Sequence, residues 1–252
     1  MKNSDSKRRT TLKGTSADKP LYVRGREKFA TMIASGELAP DTQLPSERDL
    51  GEDLGISRMT ARQIYKSLEE AGLIYRTDRQ GWFVAAPHLE YALGRSVSFM
   101  NNIEAKGGRP NSEVLEALRI RPDGPIREKL NLDAAAEVYL IRRVMKIGQM
   151  PSMIEALYAP VRRFPGLLDN PLDKSLTNLW RTKYNVKIDR SRITLKLHHF
   201  SGLEAKMLGL RDGSPGISIS HTYLDGKALP IAVDFQAWRG DIASFDLMVR
   251  FE

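Results

Sequence analysis

The run LPSERDLGEDLGISRMTARQIYKSLEEAGLIYR, Leu44 to Arg76, constrains the fold more than any other part of the chain. It carries two helix starts and two helix stops in quick succession. Ser46 is a good N-cap with Asp49 three residues on, Leu50 and Leu54 mark a buried side, and Gly55 ends that helix. Ser57 caps a further helix that runs to Gly72. Upstream, Phe29, Met32 and Ile33 recur at helical spacing and Gly36 stops them. Downstream, Leu73–Arg76 and Trp82–Ala85 read as two short strands around a TDRQG turn.

Three short helices followed by a small hairpin is the plan of a winged helix-turn-helix. The third helix bears this out by angle, at roughly 100° per residue. With Arg58 at zero, Ala61, Ile64, Tyr65 and Leu68 fall between about 240° and 340°, a single core-facing stripe. Arg58, Arg62 and Lys66 fall near about 0°, 40° and 80°, and Met59, Gln63 and Thr60 complete the outer face. Reading a DNA major groove needs such a face, since Arg binds guanine bidentately and Thr meets a thymine methyl. The same row also fits an ordinary solvated helix face, with Lys66 and Glu70 as an i,i+4 pair.

Charge points to a polyanionic partner without identifying it. The net charge is +8. Nine Lys/Arg against three acidic residues leave +6 within residues 1–28, so the remainder carries only +2 of that total. Residues 1–19 lack apolar periodicity and read as a disordered basic tail. No apolar run approaches the ~20 residues of a membrane span, and the amino-terminal residues lack a secretory h-region. The absence of cysteine excludes disulfides and thiolate chemistry and fits a reducing cytoplasm. His88, His198, His199 and His221 show no metal-ligand spacing, and no metal or cofactor is expected.

The second half follows another pattern. VYLIRRVMKI and PSMIEALYAP are β-prone runs, and GISISHTYL and LPIAVDFQAW flank Asp225-Gly226, a favoured hairpin turn. KSLTNLWRTKYN and LEAKMLGLRDG read as helices. The expectation is an α+β protein: a winged helix-turn-helix over 20–86, a linker over 87–94, and an antiparallel-sheet domain over 95–252. Two charges interrupt apolar faces there, Arg143 between Ile141 and Met145 and Glu155 between Met153 and Leu157. With a three-residue loop at Gly148–Met150 they face each other as a cross-strand pair; with a two-residue loop Arg142 faces Glu155 instead. Buried charges need partners, so the two readings are a structural ion pair and the lining of a ligand pocket.

The dense motif over 20–86, completed by GWFV, resembles the DNA-binding domain of the GntR family of bacterial transcription regulators. That resemblance implies that Arg48, Arg58, Thr60 and Arg62 approach the operator, with Arg79, Gln80 and Gly81 at the wing tip in the minor groove. Asp41 stands where a turn glycine is usual, and Arg79 and Trp82 where the wing normally has Gly and Thr. Further on, GGRPNSEVL, RRVMKIGQMPSMIEALYAP, FPGLL, LGLRDGSPG, HTYLDGKALP and WRGD resemble the UTRA effector-binding domain of the HutC subfamily, with a chorismate lyase-like fold. On the matching positions Arg143, Glu155, Ser175 and Trp238 line the effector pocket, and Ser175 near a helix start suits an anion. Met145, Thr177 and Ala232 depart from a frequent Arg, Tyr and Glu.

The resemblance implies a cytoplasmic homodimer on a palindromic operator, a repressor released by a small metabolite. Two rivals are a constitutive DNA binder whose second domain only dimerises, and a lyase-like enzyme. Against the enzyme, no Ser-His-Asp set, paired carboxylates or phosphate loop stands out.

Overall fold

The computed structural model describes residues 20–77, 81–85, 89–93 and 98–247. They fall into two compact units, Met1–Pro87 and His88–Glu252.

In the first unit, α1 (Leu21–Ala34), α2 (Glu47–Leu54) and α3 (Arg58–Glu70) precede a hairpin of β1 (Ile74–Thr77) and β2 (Gly81–Val84). The caps lie where the sequence puts them: the Ser46 hydroxyl accepts from the Asp49 N–H at 3.2 Å, and Ser57 from that of Thr60 at 3.1 Å. Gly55 and Gly72 close their helices at φ 65° and 67°, backbone that glycine adopts without strain. The inner face of α3 is buried in full, and Ala61, Ile64, Tyr65 and Leu68 pack with Phe29, Leu44, Leu50, Ile74 and Trp82. Each large side chain so buried contributes roughly 1.5–3 kcal/mol. Tyr65 donates its hydroxyl to the Pro45 carbonyl at 2.8 Å, satisfying the one polar atom it carries inside.

Asp41 takes the conformation of the glycine it replaces, at φ 64°, and its carboxylate accepts from the Tyr75 hydroxyl at 2.8 Å. Residues 41–44 run beside β2, with Leu44 N–H donating to the Trp82 carbonyl at 2.8 Å. Trp82 is a core residue rather than a wing-surface one, and the Arg76 guanidinium lies 5.6 Å from the centre of its ring.

The second unit is built on a six-stranded antiparallel sheet. Its strands are β4 (Pro110–Ile120), β5 (Val138–Ile147), β6 (Met150–Pro160), β7 (Arg190–His199), β8 (Pro215–Leu224) and β9 (Pro230–Arg239). They are ordered β4-β5-β6-β9-β8-β7. On one face α6 (Leu176–Lys183) buries Leu176 and Trp180 against Tyr139, Ile141, Leu157 and Tyr223. On the other, α5 (Gly124–Lys129) packs Ile126 on Val138 and Val233, and α7 (Gly202–Met207) packs Ala205 near Val144. Helix α4 (Phe99–Ala105) starts at Ser98, whose hydroxyl accepts from the Asn101 N–H at 3.3 Å.

The segment expected as a linker, 87–94, includes a strand. β3 (Leu89–Ala92) pairs in parallel with β10 (Ala243–Asp246), so this stretch is tied to the end of the second unit. Two hairpins also differ from expectation. The β5–β6 loop has two residues, Gly148 and Gln149, the length that would set Arg142 against Glu155. A bulge at Ser152 shifts the register by one, and Arg143 pairs with Glu155 after all. The β8–β9 loop spans Asp225 to Leu229, and Ala228 rather than Gly226 takes the left-handed conformation, at φ 59°. Asp225 organises that loop by accepting from the N–H groups of Lys227 and Leu229, each at 3.0 Å, and from Arg163 at 2.6 Å.

Candidate DNA-reading face and ligand cavity

The outer face of α3 is polar and exposed. Arg58 and Arg62 are solvent-facing, Met59 is 64 % exposed, and Thr60 is half-buried. Arg58 lies 3.7 Å from the Glu47 carboxylate, and Arg48 on α2 lies 3.7 Å from Asp49 and 3.8 Å from Glu52. The Arg48 pairs are exposed on both sides and so are weak, whereas Arg58 is exposed but its partner Glu47 is largely buried. Among the described residues Arg62 has no ion pair, which leaves its guanidinium unengaged on the outward row. The Thr60 hydroxyl lies 2.9 Å from that of Ser57, so it is shared with the helix cap. Gly81 opens β2 at φ 98°. Arg79 and Gln80 lie outside the described residues.

In the second unit Arg143 and Glu155 form an ion pair that also borders a small cavity. They are 4 % and 6 % exposed, paired through Arg143 Nε and Glu155 Oε2 at 2.6 Å and also through Nη2. Arg143 Nη1 donates to the carbonyls of Leu172 and Lys174, each at 2.9 Å. The same two side chains line a cavity of about 30 Å³ between the sheet and α6, with Ser98, Ser175, Trp180 and Asp234. Ser175 caps α6, accepting from the Asn178 N–H at 3.3 Å, and its hydroxyl lies 3.0 Å from that of Ser98, the cap of α4. A second cavity, of about 850 Å³, shares Ser98 and Thr177 and is flanked by Asn101, Arg181 and Lys187.

Trp238, expected in the pocket, does not line it. Its ring sits among Tyr91, Phe99 and Phe245, at centroid distances of 5.0, 5.8 and 5.3 Å, and its indole N–H donates to Gln236 at 2.8 Å. Aromatic packing and a filled hydrogen bond make it a core residue. Asp234, absent from the expectation, is the residue the strand turns to the cavity. Its signal is the one that exposed Arg143 and Glu155, a charge set inside an apolar run, here IAVDFQAW. Burial first, then the charge of Glu155, hold its carboxyl well above the usual range. Burial alone pushes His221, on β8, down to about 4. Among the described residues there is no cluster of metal-ligating side chains, and no helix is long and apolar enough to cross a membrane.

A helical head that buries one face of its third helix and bares a cationic row on the other, followed by a sheet unit with a polar cavity, defines a two-module DNA-binding regulator. Comparison with known proteins gives the family. Residues 21–84 match the gntR family of bacterial regulatory proteins and residues 105–244 match the UTRA domain. The chain belongs to the GntR family, with a UTRA domain after its DNA-binding head, and is a transcription regulator. It is 32 % identical over 228 residues to the HTH-type transcriptional repressor NagR of Bacillus subtilis, covering 90 % of this chain and 93 % of that protein. It is 29 % identical over 227 residues to the HTH-type transcriptional regulator YihL of Escherichia coli, covering 89 % and 95 %. PhnF from Mycobacterium smegmatis shares the fold at a TM-score of 0.65 and 22 % identity, over 90 % of this chain and 99 % of that one. NagR and YihL are both named as transcriptional regulators.

Proposed function

We propose that the chain is a homodimeric repressor that leaves a palindromic operator when a small metabolite binds at the two cavities lined by α6. The observation that carries this reading is the unused bonding capacity of the smaller cavity. A buried indole N–H and a buried carboxylate oxygen lack partners among the described residues, which a module for dimerisation alone has no reason to keep. NagR, a relative named as a repressor, supports the sign of regulation. Arg48, Arg58, Thr60 and Arg62 serve as the operator contacts, with Arg79, Gln80 and Gly81 at the wing tip. Arg143, Glu155 and Ser175 line the effector site. A ligand shifts the equilibrium between DNA-competent and released states only by its differential affinity for the two.

Selection of bound duplexes from a random library at physiological salt tests the operator half of this reading. The expected result is a palindrome with half-sites roughly 34 Å apart, one helical turn. Arg62→Ala then lowers affinity for the selected site by about 1–3 kcal/mol, measured by anisotropy. Binding without an enriched sequence overturns the reading.

A further inference from the structure

The small cavity of the second unit holds more acid than base, and its base is already engaged. Arg143 directs Nε and Nη2 to Glu155 and Nη1 to two backbone carbonyls, which leaves little of the guanidinium for a ligand. Asp234 is the surplus acid. It is 2 % exposed, and its Oδ2 accepts from Gln236 at 2.7 Å and from the Tyr223 hydroxyl at 3.1 Å. Its Oδ1 is buried with no partner among the described residues, and so is the indole N–H of Trp180 on the facing helix. Both residues line the cavity.

An anion entering this space meets the Glu155 carboxylate and finds the nearby cation committed. A protonated amine meets the opposite situation: Asp234 Oδ1, an oxygen with no partner among the described residues, in a space also lined by Ser98 and Ser175. The volume, about 30 Å³, admits a group of one or two heavy atoms. The larger cavity, which shares Ser98 and Thr177 with it as lining residues, has room for the body of a metabolite.

We propose that the effector carries a protonated amine, that this amine is seated on Asp234, and that the rest of the molecule lies in the larger cavity. The inference rests on the effector-site reading above and deepens it. Asp234 releases its proton to solvent as the ammonium enters, so the pair formed is carboxylate and ammonium. An ion pair of this kind is sustained inside a protein only when its hydrogen bonds are filled, and Gln236 and Tyr223 already donate to the Asp234 carboxyl.

The test uses the full chain and methylammonium as the probe. Thermal unfolding is followed in methylammonium chloride, in sodium chloride at the same ionic strength, and in methanol at the same concentration. Methylammonium is expected to raise the melting temperature by roughly 2 °C beyond sodium, saturably, while methanol does not. In Asp234→Asn that difference disappears. Asp234→Thr serves as the second variant if the first fails to fold. Equal responses to methylammonium and sodium, an equal rise with methanol, or a rise that survives both variants overturns the proposal. A parallel gel-shift measurement with the small-molecule fraction of a cell extract separates the two readings. Release of DNA by the extract beside an inert methylammonium keeps the effector site and removes the amine. Stabilisation by methylammonium beside an inert extract keeps the amine seat and removes its regulatory role.

Discussion

His221 and Asp234 lie on neighbouring strands, paired at Cα level, and tilt stability with pH in opposite senses. Folded His221 takes up a proton only near pH 4, whereas an unfolded histidine does so near 6.5. Its contribution is therefore present above pH 6.5 and is lost as pH falls towards 4, by roughly 3 kcal/mol at most. Asp234 is raised, so its contribution is present below the ordinary 3.8 and is lost as pH rises through the elevated value. His221→Phe should thus gain stability at pH 4.5 relative to wild type and show little gain at pH 7, read from urea midpoints. A third residue-scale expectation concerns Arg143. Arg143→Ala leaves Glu155 buried and unpaired, and should lower stability by about 3–5 kcal/mol; Arg143→Met with Glu155→Leu should recover most of that in denaturant unfolding. The residue was thus legible as special from its place in an apolar strand, but its structural and pocket roles are not alternatives.

At the scale of elements, close approach decides what the strands tolerate. A Cβ on Gly216 would lie 2.4 Å from the Phe200 ring and 2.5 Å from the Trp238 carbonyl, so Gly216→Ala on β8 should lose roughly 1–3 kcal/mol in thermal melts. The helices of the head can be read from the sequence because Ser46, Ser57, Gly55 and Gly72 fix their ends through local hydrogen bonds and local backbone. The central strands β5, β6, β8 and β9 can be read because they are apolar on long runs. β4 cannot: it is an edge strand whose alternation is broken at a register shift, where Val114 and Leu115 are both exposed. β3 is equally hidden, because four residues pair only with a strand far along the chain. Register is the least legible quantity. Loop length alone predicts the wrong partner for Glu155, and a single bulged residue, Ser152, restores the right one. Asp234 is legible by the same rule as Arg143, whereas Trp238 shows that a motif position does not reveal which neighbour a side chain meets.

Across the whole molecule the charge is concentrated at one end, with +6 of the net +8 in residues 1–28. Removal of residues 1–19 should weaken DNA binding to every sequence alike. It should also reduce the slope of log affinity against log salt by about 0.9 for each phosphate that the tail neutralises, while the selected palindrome stays preferred; filter binding over a range of potassium chloride checks this. An unchanged slope would place the tail away from DNA. The ribbon formed by β3 and β10 bears on a different matter. The sensor unit takes in the chain at residues 89–92 and gives it back at 243–246, side by side. A transplant of this unit, by recombination or at the bench, therefore has to carry both strands, because each is the other's pairing partner. Splicing a foreign reader ahead of residue 89 disturbs no strand of the main sheet, so the architecture lends itself to exchange of heads among sensors.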